Sequence, residues 1–144
     1  MKPPIYLLLA RLAIALVVVW NIQCAIAFLF WPDRFTAGFE LSGAPGGAAV
    51  RGVGLLFLMW NVPYAVALIH PVRHRISLYE ATAMQAIGLL GETLILISLP
   101  FSNSIIQASL MRFIAFDGAG LVLLLLAIWF VRHATLPGST DRML

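Results

Sequence analysis

Residues 5–31 of the chain read IYLLLARLAIALVVVWNIQCAIAFLFW, and Arg11 is the only charged side chain among them. An α-helix rises about 1.5 Å per residue, so about 20 apolar residues are enough to cross the hydrocarbon core of a bilayer. The run is longer than that, and it lacks the alternation over about 10 residues that is typical of membrane-barrel strands. It therefore predicts a membrane-spanning helix, which satisfies its own backbone hydrogen bonds without water.

Three further apolar runs repeat this pattern, and the four runs together predict an all-α integral membrane four-helix bundle in one domain. The predicted helices cover residues 5–31, 48–69, 76–99 and 105–131, and a short polar tail covers 134–144. Proline and turn residues separate the runs. Pro63 lies inside the second predicted helix, where it should kink the helix because it removes one backbone hydrogen bond.

The overall composition supports a membrane protein and excludes several other classes. Of the 144 residues, 62% are hydrophobic and 10% are charged, and the mean hydropathy is +0.98. Because soluble domains use about 25% charged residues, an ordinary soluble enzyme and a disordered chain are excluded. The net charge of +3 is not gathered into a basic block with aromatic residues, so no nucleic-acid partner is predicted. Cys24 is the only cysteine, which excludes an intramolecular disulfide and a Cys-x-x-Cys redox pair.

The distribution of basic residues predicts the orientation of the bundle. Six basic residues lie at the end that holds the N-terminus and three at the other end: Lys2, Arg11, Arg73, Arg75, Arg132 and Arg142 against Arg34, Arg51 and Arg112. The positive-inside rule then favours an inner (plasma) membrane protein with both termini in the cytoplasm. A signal peptide cleaved after Ala25-Ile26-Ala27 is the alternative for the N-terminus, although the apolar run continues without a break to Trp31.

The longest predicted connection covers residues 32–47. Asp33 is a suitable N-cap, and Phe35 and Phe39 lie four residues apart on one helical face. A short helix in the membrane interface fits these residues. A plain loop with two buried aromatic rings is the alternative.

A faint internal repeat relates the second and fourth predicted helices. Residues 50–74 and 111–133 both have an Arg at their second position, contain glycines and close with Val-Arg-His. A duplicated two-helix hairpin would explain the match, and membrane proteins often contain such repeats. Chance similarity between Leu- and Val-rich helices is the alternative.

Four ionisable residues lie inside the predicted helices, where a charge is costly and normally faces the bundle interior: Arg51, Glu92, Arg112 and Asp117. Glu92 and Arg112 each lie about seven residues, or roughly 10 Å, from the short loop that joins their helices. Because such helices are antiparallel neighbours, Glu92 and Arg112 can form an ion pair. Asp117 lies about 7.5 Å deeper and is rotated by about 140°, so it faces another neighbour. Arg51 can join the cluster or extend to the lipid headgroups.

Four polar residues extend this cluster along the predicted helices: Asn21, Gln23, Asn61 and Gln85. Together the eight side chains can line a polar pocket open toward the outer face. One interpretation is a structural Glu92–Arg112 ion pair with Asn and Gln as interhelical hydrogen-bonding partners. A second is a pocket in which Arg51 and Arg112 hold an anionic or carbonyl group, such as a quinone-like headgroup, while Glu92 or Asp117 exchanges a proton. A catalytic site is the third.

A metal site receives little support. His70 and His74 have the four-residue spacing of a metal-binding helix face. Pro71 lies between them, however, and the sequence offers no obvious third ligand. Accordingly, no metal, no cofactor and no catalytic residue is predicted, and the two histidines are assigned to a solvated loop.

Two segments resemble a known group of proteins. They are residues 31–35 (WPDRF), which end the first helix, and residues 46–54 (GGAAVRGVG), which begin the second. In these segments and in its layout, the chain resembles small bacterial four-helix membrane proteins, namely the DoxX-like proteins and related families of unknown function. Some DoxX-like proteins are associated with quinol-linked respiratory complexes, so the resemblance implies a respiratory accessory role.

The function predicted from the sequence is a small-molecule-binding or accessory subunit without catalytic activity of its own. It would act through the charged cluster in the outer half of the bundle. The expected partners are the lipid bilayer, a small molecule such as a quinone, and either a larger membrane complex or further copies of the chain. Two alternatives stay open, which are a small proton-coupled transporter using Glu92 or Asp117 and a membrane enzyme acting on a lipid or quinone.

Overall fold

The computed structural model describes residues 3–100, 102 and 104–135, and within these ranges it contains helices and no strand. The five α-helices are α1 (Pro3–Phe30), α2 (Asp33–Thr36), α3 (Gly43–Ile69), α4 (Arg75–Ser98) and α5 (Ser104–Ala134), and a 3-10 turn (Ala37–Phe39) follows α2. Helices α1, α3, α4 and α5 are long and apolar enough to span a membrane. The predicted all-α class and the four long apolar helices are therefore confirmed. Lys2, Arg142 and residues 136–144 of the predicted tail lie outside the described residues.

The four long helices form a ring in the order α1, α3, α4, α5, in which each packs against its two neighbours. Successive long helices run in opposite directions. We call one end of the bundle the α2 end, because α2 lies there beside the end of α1 and the start of α3. The opposite end, which holds the start of α1 and the end of α5, is the termini end. Two hairpins related by a two-fold axis would give this ring, but so would any up-and-down bundle, so the duplication stays a prediction.

Helix α3 begins five residues earlier than predicted, because the glycine-rich segment 43–47 is helical rather than a turn. Pro45 lies in the first turn of α3, where its missing N–H costs nothing. Gly46 is buried, and a Cβ placed on it would lie 3.0 Å from the Cβ of Leu41. Glycine is therefore needed here for close packing against the preceding segment, not for a turn.

The connection between α1 and α3 contains a short helix rather than a plain loop, and its two aromatic rings are half-buried. The position before α2 is held by Pro32, so Asp33 is the first helical residue and not the cap that the sequence predicted. Phe35 and Phe39 pack on Phe28 of α1, with ring centroids 4.7 Å and 6.4 Å apart. The connection is thereby held against the bundle.

Two apolar clusters fill the bundle. Around the termini end, α1, α3, α4 and α5 all contribute to one cluster, whose members Ile14, Leu78 and Leu124 are fully or almost fully buried. Around the α2 end, a smaller cluster centres on Phe28 and Phe57. Burial of each side chain removes apolar surface from its surroundings and adds close van der Waals contact, which is the main attraction between helices in lipid.

Arg11 connects α1 to α3 at the termini end. Its Nε donates to the carbonyl oxygen of Leu68 at 3.1 Å, and its Nη2 donates to that of Ile69. The last carbonyl groups of a helix have no partner within the helix and carry partial negative charge. A guanidinium group placed there donates hydrogen bonds to these carbonyl groups and offsets their partial negative charge.

Candidate functional site

The structure divides the eight predicted site residues into three groups: Asn21, Asn61, Gln85, Asp117 and Glu92 toward the bundle interior, Arg112 in a pocket at the α2 end, and Gln23 and Arg51 on the surface. Their sequence spacing placed all eight near one another, but the helix rotations separate them. Among the described residues, no three His, Cys, Asp or Glu side chains are grouped so that they could hold a metal ion.

A buried hydrogen-bond network connects α3, α4 and α5 near the middle of the bundle. The Tyr64 hydroxyl donates to Gln85 Oε1 at 2.7 Å, and Gln85 Nε2 donates to Asp117 Oδ1 at 2.8 Å. A Cβ on Gly120 would lie 2.6 Å from Gln85 Nε2, so this glycine makes room for the amide. Because each partner satisfies another buried polar group, the network fixes the relative rotation of three helices.

Tyr64 is a member of this network that the sequence analysis missed. It was treated as part of an apolar run, yet its hydroxyl is buried and needs a partner. The signal was present, because Tyr64 lies three residues after Asn61 on the same helix face.

A small cavity of about 20 Å³ adjoins the network. Its polar lining comes from Asn21, Tyr64, Gln85 and Asp117, and the rest is apolar apart from the backbone of Gly88 and the ring of Trp60. A cavity of this size is large enough for about one water molecule. Four polar groups around one such space could satisfy the hydrogen bonds of that water.

Two buried oxygen atoms near this region have no hydrogen-bond partner within the part of the chain that the structure describes. Asn61 donates from Nδ2 to the Phe57 carbonyl oxygen at 2.8 Å, which leaves its Oδ1 unpaired. On α4, the half-buried Glu92 has an unpaired Oε2. Unpaired buried oxygens are costly, so each marks a place where a water, a proton or a ligand would be stabilising.

The expected ion pair between Glu92 and Arg112 is not formed among the described residues. Arg112 Nη2 instead donates to Ser109 Oγ at 3.1 Å, and Ser109 Oγ donates to the Gly38 carbonyl oxygen at 2.6 Å. Depth along α5 does not fix the direction of a side chain, and the rotation of α5 turns Arg112 toward the 3-10 turn. Arg112 therefore helps to hold that turn against α5 and does not neutralise Glu92.

A pocket of about 390 Å³ opens at the α2 end between α1, α2, the 3-10 turn and α5. Four phenyl rings line its apolar part, those of Phe28, Phe35, Phe39 and Phe113. Phe39 and Phe113 are stacked, with centroids 5.9 Å apart and an interplanar angle of 28°. Arg34, Arg112, Ser109 and Cys24 supply the polar and sulfur groups of the lining.

The two arginines of this pocket have no carboxylate partner among the residues that the structure places. Arg34 has its guanidinium 5.9 Å from the centroid of the Trp31 ring, and Arg112 donates only to Ser109. Guanidinium groups bind carboxylate and phosphate oxygens well because they offer several donors in a fixed geometry. The pocket can therefore accept an anionic or carbonyl group beside the arginines and an apolar body against the rings.

The second arginine of the pocket, beside Arg112, is Arg34 and not the expected Arg51. Arg51 is exposed, and its Nε donates to the Leu29 carbonyl oxygen at 3.4 Å near the end of α1. In the sequence, Arg34 bears only on the orientation of the bundle and on the resemblance to DoxX-like proteins. Its position directly before Phe35 in a segment that folds back on the bundle could have indicated the pocket.

The chain matches no protein-family model, no curated protein and no solved structure. The resemblance to DoxX-like proteins therefore rests on residues 31–35, residues 46–54 and the four-helix layout.

Proposed function

We propose that the chain is an inner-membrane protein with both termini in the cytoplasm, and that it binds a small amphipathic molecule in the pocket at the α2 end. The ligand would carry an anionic or carbonyl oxygen and an apolar, preferably aromatic, body. In this role the chain is a binding or accessory subunit rather than an enzyme. The observation that carries the proposal is the pair of arginines without a carboxylate partner beside four phenyl rings.

The size and place of the pocket support a small ligand. Small-molecule sites measure about 300–1,000 Å³ and are mostly apolar with a few polar groups, and the pocket of about 390 Å³ fits that description. It lies at one end of the four candidate spans, where arginine side chains can reach the headgroup region. A ligand that partitions into the bilayer could enter with its polar group at the surface and its body against the rings.

An accessory role agrees with the resemblance to DoxX-like proteins and with the lateral surface of α4. Ile87, Leu94 and Ile97 are each more than two-thirds exposed on this helix, at 69%, 68% and 75%. The apolar surface that they form suits lipid, another copy of the chain or a larger membrane complex. Co-purification from native membranes would identify such a complex.

The proposal is tested with 2-naphthoate, which combines a carboxylate with an aromatic body, against neutral 2-naphthol. The full chain is held in nanodiscs of phosphatidylcholine, and ligand binding is followed by the rise in the unfolding temperature. We expect a saturable rise with 2-naphthoate and a weaker one with 2-naphthol. Arg34→Gln and Arg112→Gln should each weaken 2-naphthoate binding by about tenfold or more, because a charge-assisted hydrogen bond contributes about 1.5–3 kcal/mol.

Arg51→Gln is the matched control, because Arg51 lies at the same end of the bundle but outside the pocket. It should leave 2-naphthoate binding unchanged, and equal losses in all three variants would contradict the proposal. A second arm replaces part of the phosphatidylcholine with phosphatidylglycerol. Competition by the anionic lipid would indicate a lipid headgroup as the occupant, whereas unchanged binding would indicate a free amphipathic anion.

A further inference from the structure

The middle of the bundle holds two carboxyl groups that no cation neutralises among the residues described. Asp117 of α5 accepts its side-chain hydrogen bond from the neutral amide of Gln85, and Glu92 of α4 has one buried oxygen with no partner. The nearest arginine along α5, Arg112, donates to Ser109 instead. An uncompensated carboxylate inside a membrane protein is costly, so such groups are normally protonated or bind a small cation.

The hydrogen bonds of Gln85 determine which oxygen of Asp117 can carry a proton. Gln85 Oε1 accepts from Tyr64, so Nε2 must be the atom that donates to Asp117 Oδ1. Oδ1 is therefore an acceptor, and a proton on this carboxyl belongs on Oδ2. In this arrangement Gln85 links Tyr64 to Asp117 and acts as a positioning residue for the Asp117 carboxyl.

Asp117 Oδ2 packs closely against Gly88 of α4, beside a small cavity. A Cβ on Gly88 would overlap Asp117 Oδ2 and lie 3.3 Å from Asp117 Cγ, so only glycine allows the carboxyl to approach α4 here. Asp117 and Gly88 both line the cavity of about 20 Å³, which has the size of one water molecule. A hydroxyl at Oδ2 would find its acceptor in that water.

Glu92 lies one helical turn beyond Gly88 toward the α2 end, on the same face of α4. Both carboxyl side chains are partly exposed, and that of Glu92 lies closer to the α2 end. The other titratable group near Asp117 is Tyr64 of α3, while α1 contributes the neutral Asn21. Toward the termini end, the buried cluster of Ile14, Leu78 and Leu124 closes the bundle. Toward the α2 end, the carboxyl group that follows Gly88 on this face of α4 is that of Glu92.

We propose that Glu92 and Asp117 form a proton-binding carboxyl pair that is loaded from the α2 end. A proton taken up from water at the Glu92 carboxylate is transferred within the pair and ends on Asp117 Oδ2, beside the small cavity. The net change is one proton gained and one negative charge lost in the middle of the bundle. This site goes beyond the pocket of the proposed function, since it shares no residue with it, and proton-coupled transport is the activity that such a pair would serve.

The test is infrared difference spectroscopy of the full chain in phosphatidylcholine liposomes, recorded first as the pH is lowered at constant sodium concentration and then as sodium is raised at constant pH. A protonated carboxyl has a carbonyl band well separated from carboxylate bands. We expect the wild type to gain a band from a buried carboxyl that Asp117→Asn lacks, and we expect Glu92→Gln to lose a second band. Glu80→Gln removes an exposed carboxyl from the same helix and should leave both buried bands in place.

Gly88→Ala keeps the test valid if Asp117→Asn does not fold, because it alters the surroundings of Oδ2 without removing a charge. It should shift the Asp117 band, while Gly91→Ala, where a Cβ meets nothing within 4 Å, should not. Gln85→Leu removes the Nε2 donor to Asp117 Oδ1 and should also shift the Asp117 band. The proposal is overturned if the bands of wild type and Asp117→Asn are the same at every pH, or if they respond to sodium and not to pH. Neither result depends on 2-naphthoate, so the two proposals can fail separately.

Discussion

Phe28 shows how one residue holds the α2 end together. Its side chain is 4% exposed and packs with the rings of Phe35, Phe39, Phe57 and Phe113, whose centroids lie 4.7–6.4 Å away. These four rings come from the α1–α3 connection, α3 and α5. Offset and edge-to-face aromatic pairs add to the gain from burial. Phe28 thus joins three parts of the chain and forms one wall of the pocket at the α2 end.

Phe28→Ala should lower the free energy of unfolding by about 3–5 kcal/mol, because it leaves a cavity among rings that cannot all move inward. The measurement is reversible unfolding of the purified chain in mixed detergent micelles. Phe30→Ala is the control on the same helix, since Phe30 is 71% exposed. Its effect should stay within about 1 kcal/mol, as for most substitutions away from a packed core. Similar losses in both variants would show that Phe28 has no special role.

Single residues also show where the sequence was informative. Asp117 and Gln85 could be recognised because a polar side chain within an apolar run needs a partner, and they do meet in the structure. Tyr64 was hidden because a tyrosine is common in apolar runs and its hydroxyl gives no sign of its direction. Arg34 was hidden because its role depends on a connection that folds back over the bundle.

At the scale of the elements, helix lengths were predictable and helix rotations were not. Runs of apolar residues fix the length of a span, because the bilayer thickness is nearly constant. The rotation of α5 depends on packing at Gly120, Ser109 and Phe113, which have no distinct sequence signal. For this reason the depths of Glu92 and Arg112 along their helices suggested an ion pair that the rotation of α5 does not allow.

Gly54 allows α3 to pack closely against α1. A Cβ on Gly54 would lie 2.9 Å from Phe28 Cβ and 3.0 Å from the Ala25 carbonyl oxygen. Gly54→Ala should therefore push the helices apart and lower the free energy of unfolding by about 1–3 kcal/mol. The measurement is thermal unfolding in detergent, followed by circular dichroism.

Gly52 provides the control for this prediction, since it lies in the same helix and a Cβ there meets nothing within 4 Å. Gly52→Ala should be neutral or stabilise the chain by up to about 1 kcal/mol, because alanine is the better helix former. If both alanine variants are stabilised, then the close contact between α1 and α3 at Gly54 does not exist in the membrane protein.

At the scale of the whole molecule, the arginines differ in how much they indicate about orientation. Each arginine of the α2 end has a local role, since Arg51 binds the Leu29 carbonyl oxygen, Arg112 binds Ser109 and Arg34 lies over Trp31. At the termini end, three side chains make no hydrogen bond or ion pair among the described residues: those of Arg73, Arg75 and Arg132. Cations without a local role are best explained by membrane orientation, so the charge bias that predicts cytoplasmic termini is stronger than a plain count suggests.

The predicted orientation can be tested with single cysteines in a Cys24→Ala background. Ser42→Cys lies in the connection before α3 at the α2 end, and Thr135→Cys lies just after α5 at the termini end, and both positions are exposed. In intact cells, a membrane-impermeant maleimide should label Ser42→Cys and leave Thr135→Cys unlabelled. Both should react after permeabilisation, which controls for accessibility. Labelling of Thr135→Cys in intact cells would reverse the orientation and place the arginine pocket on the cytoplasmic side, where its ligand would have to be sought.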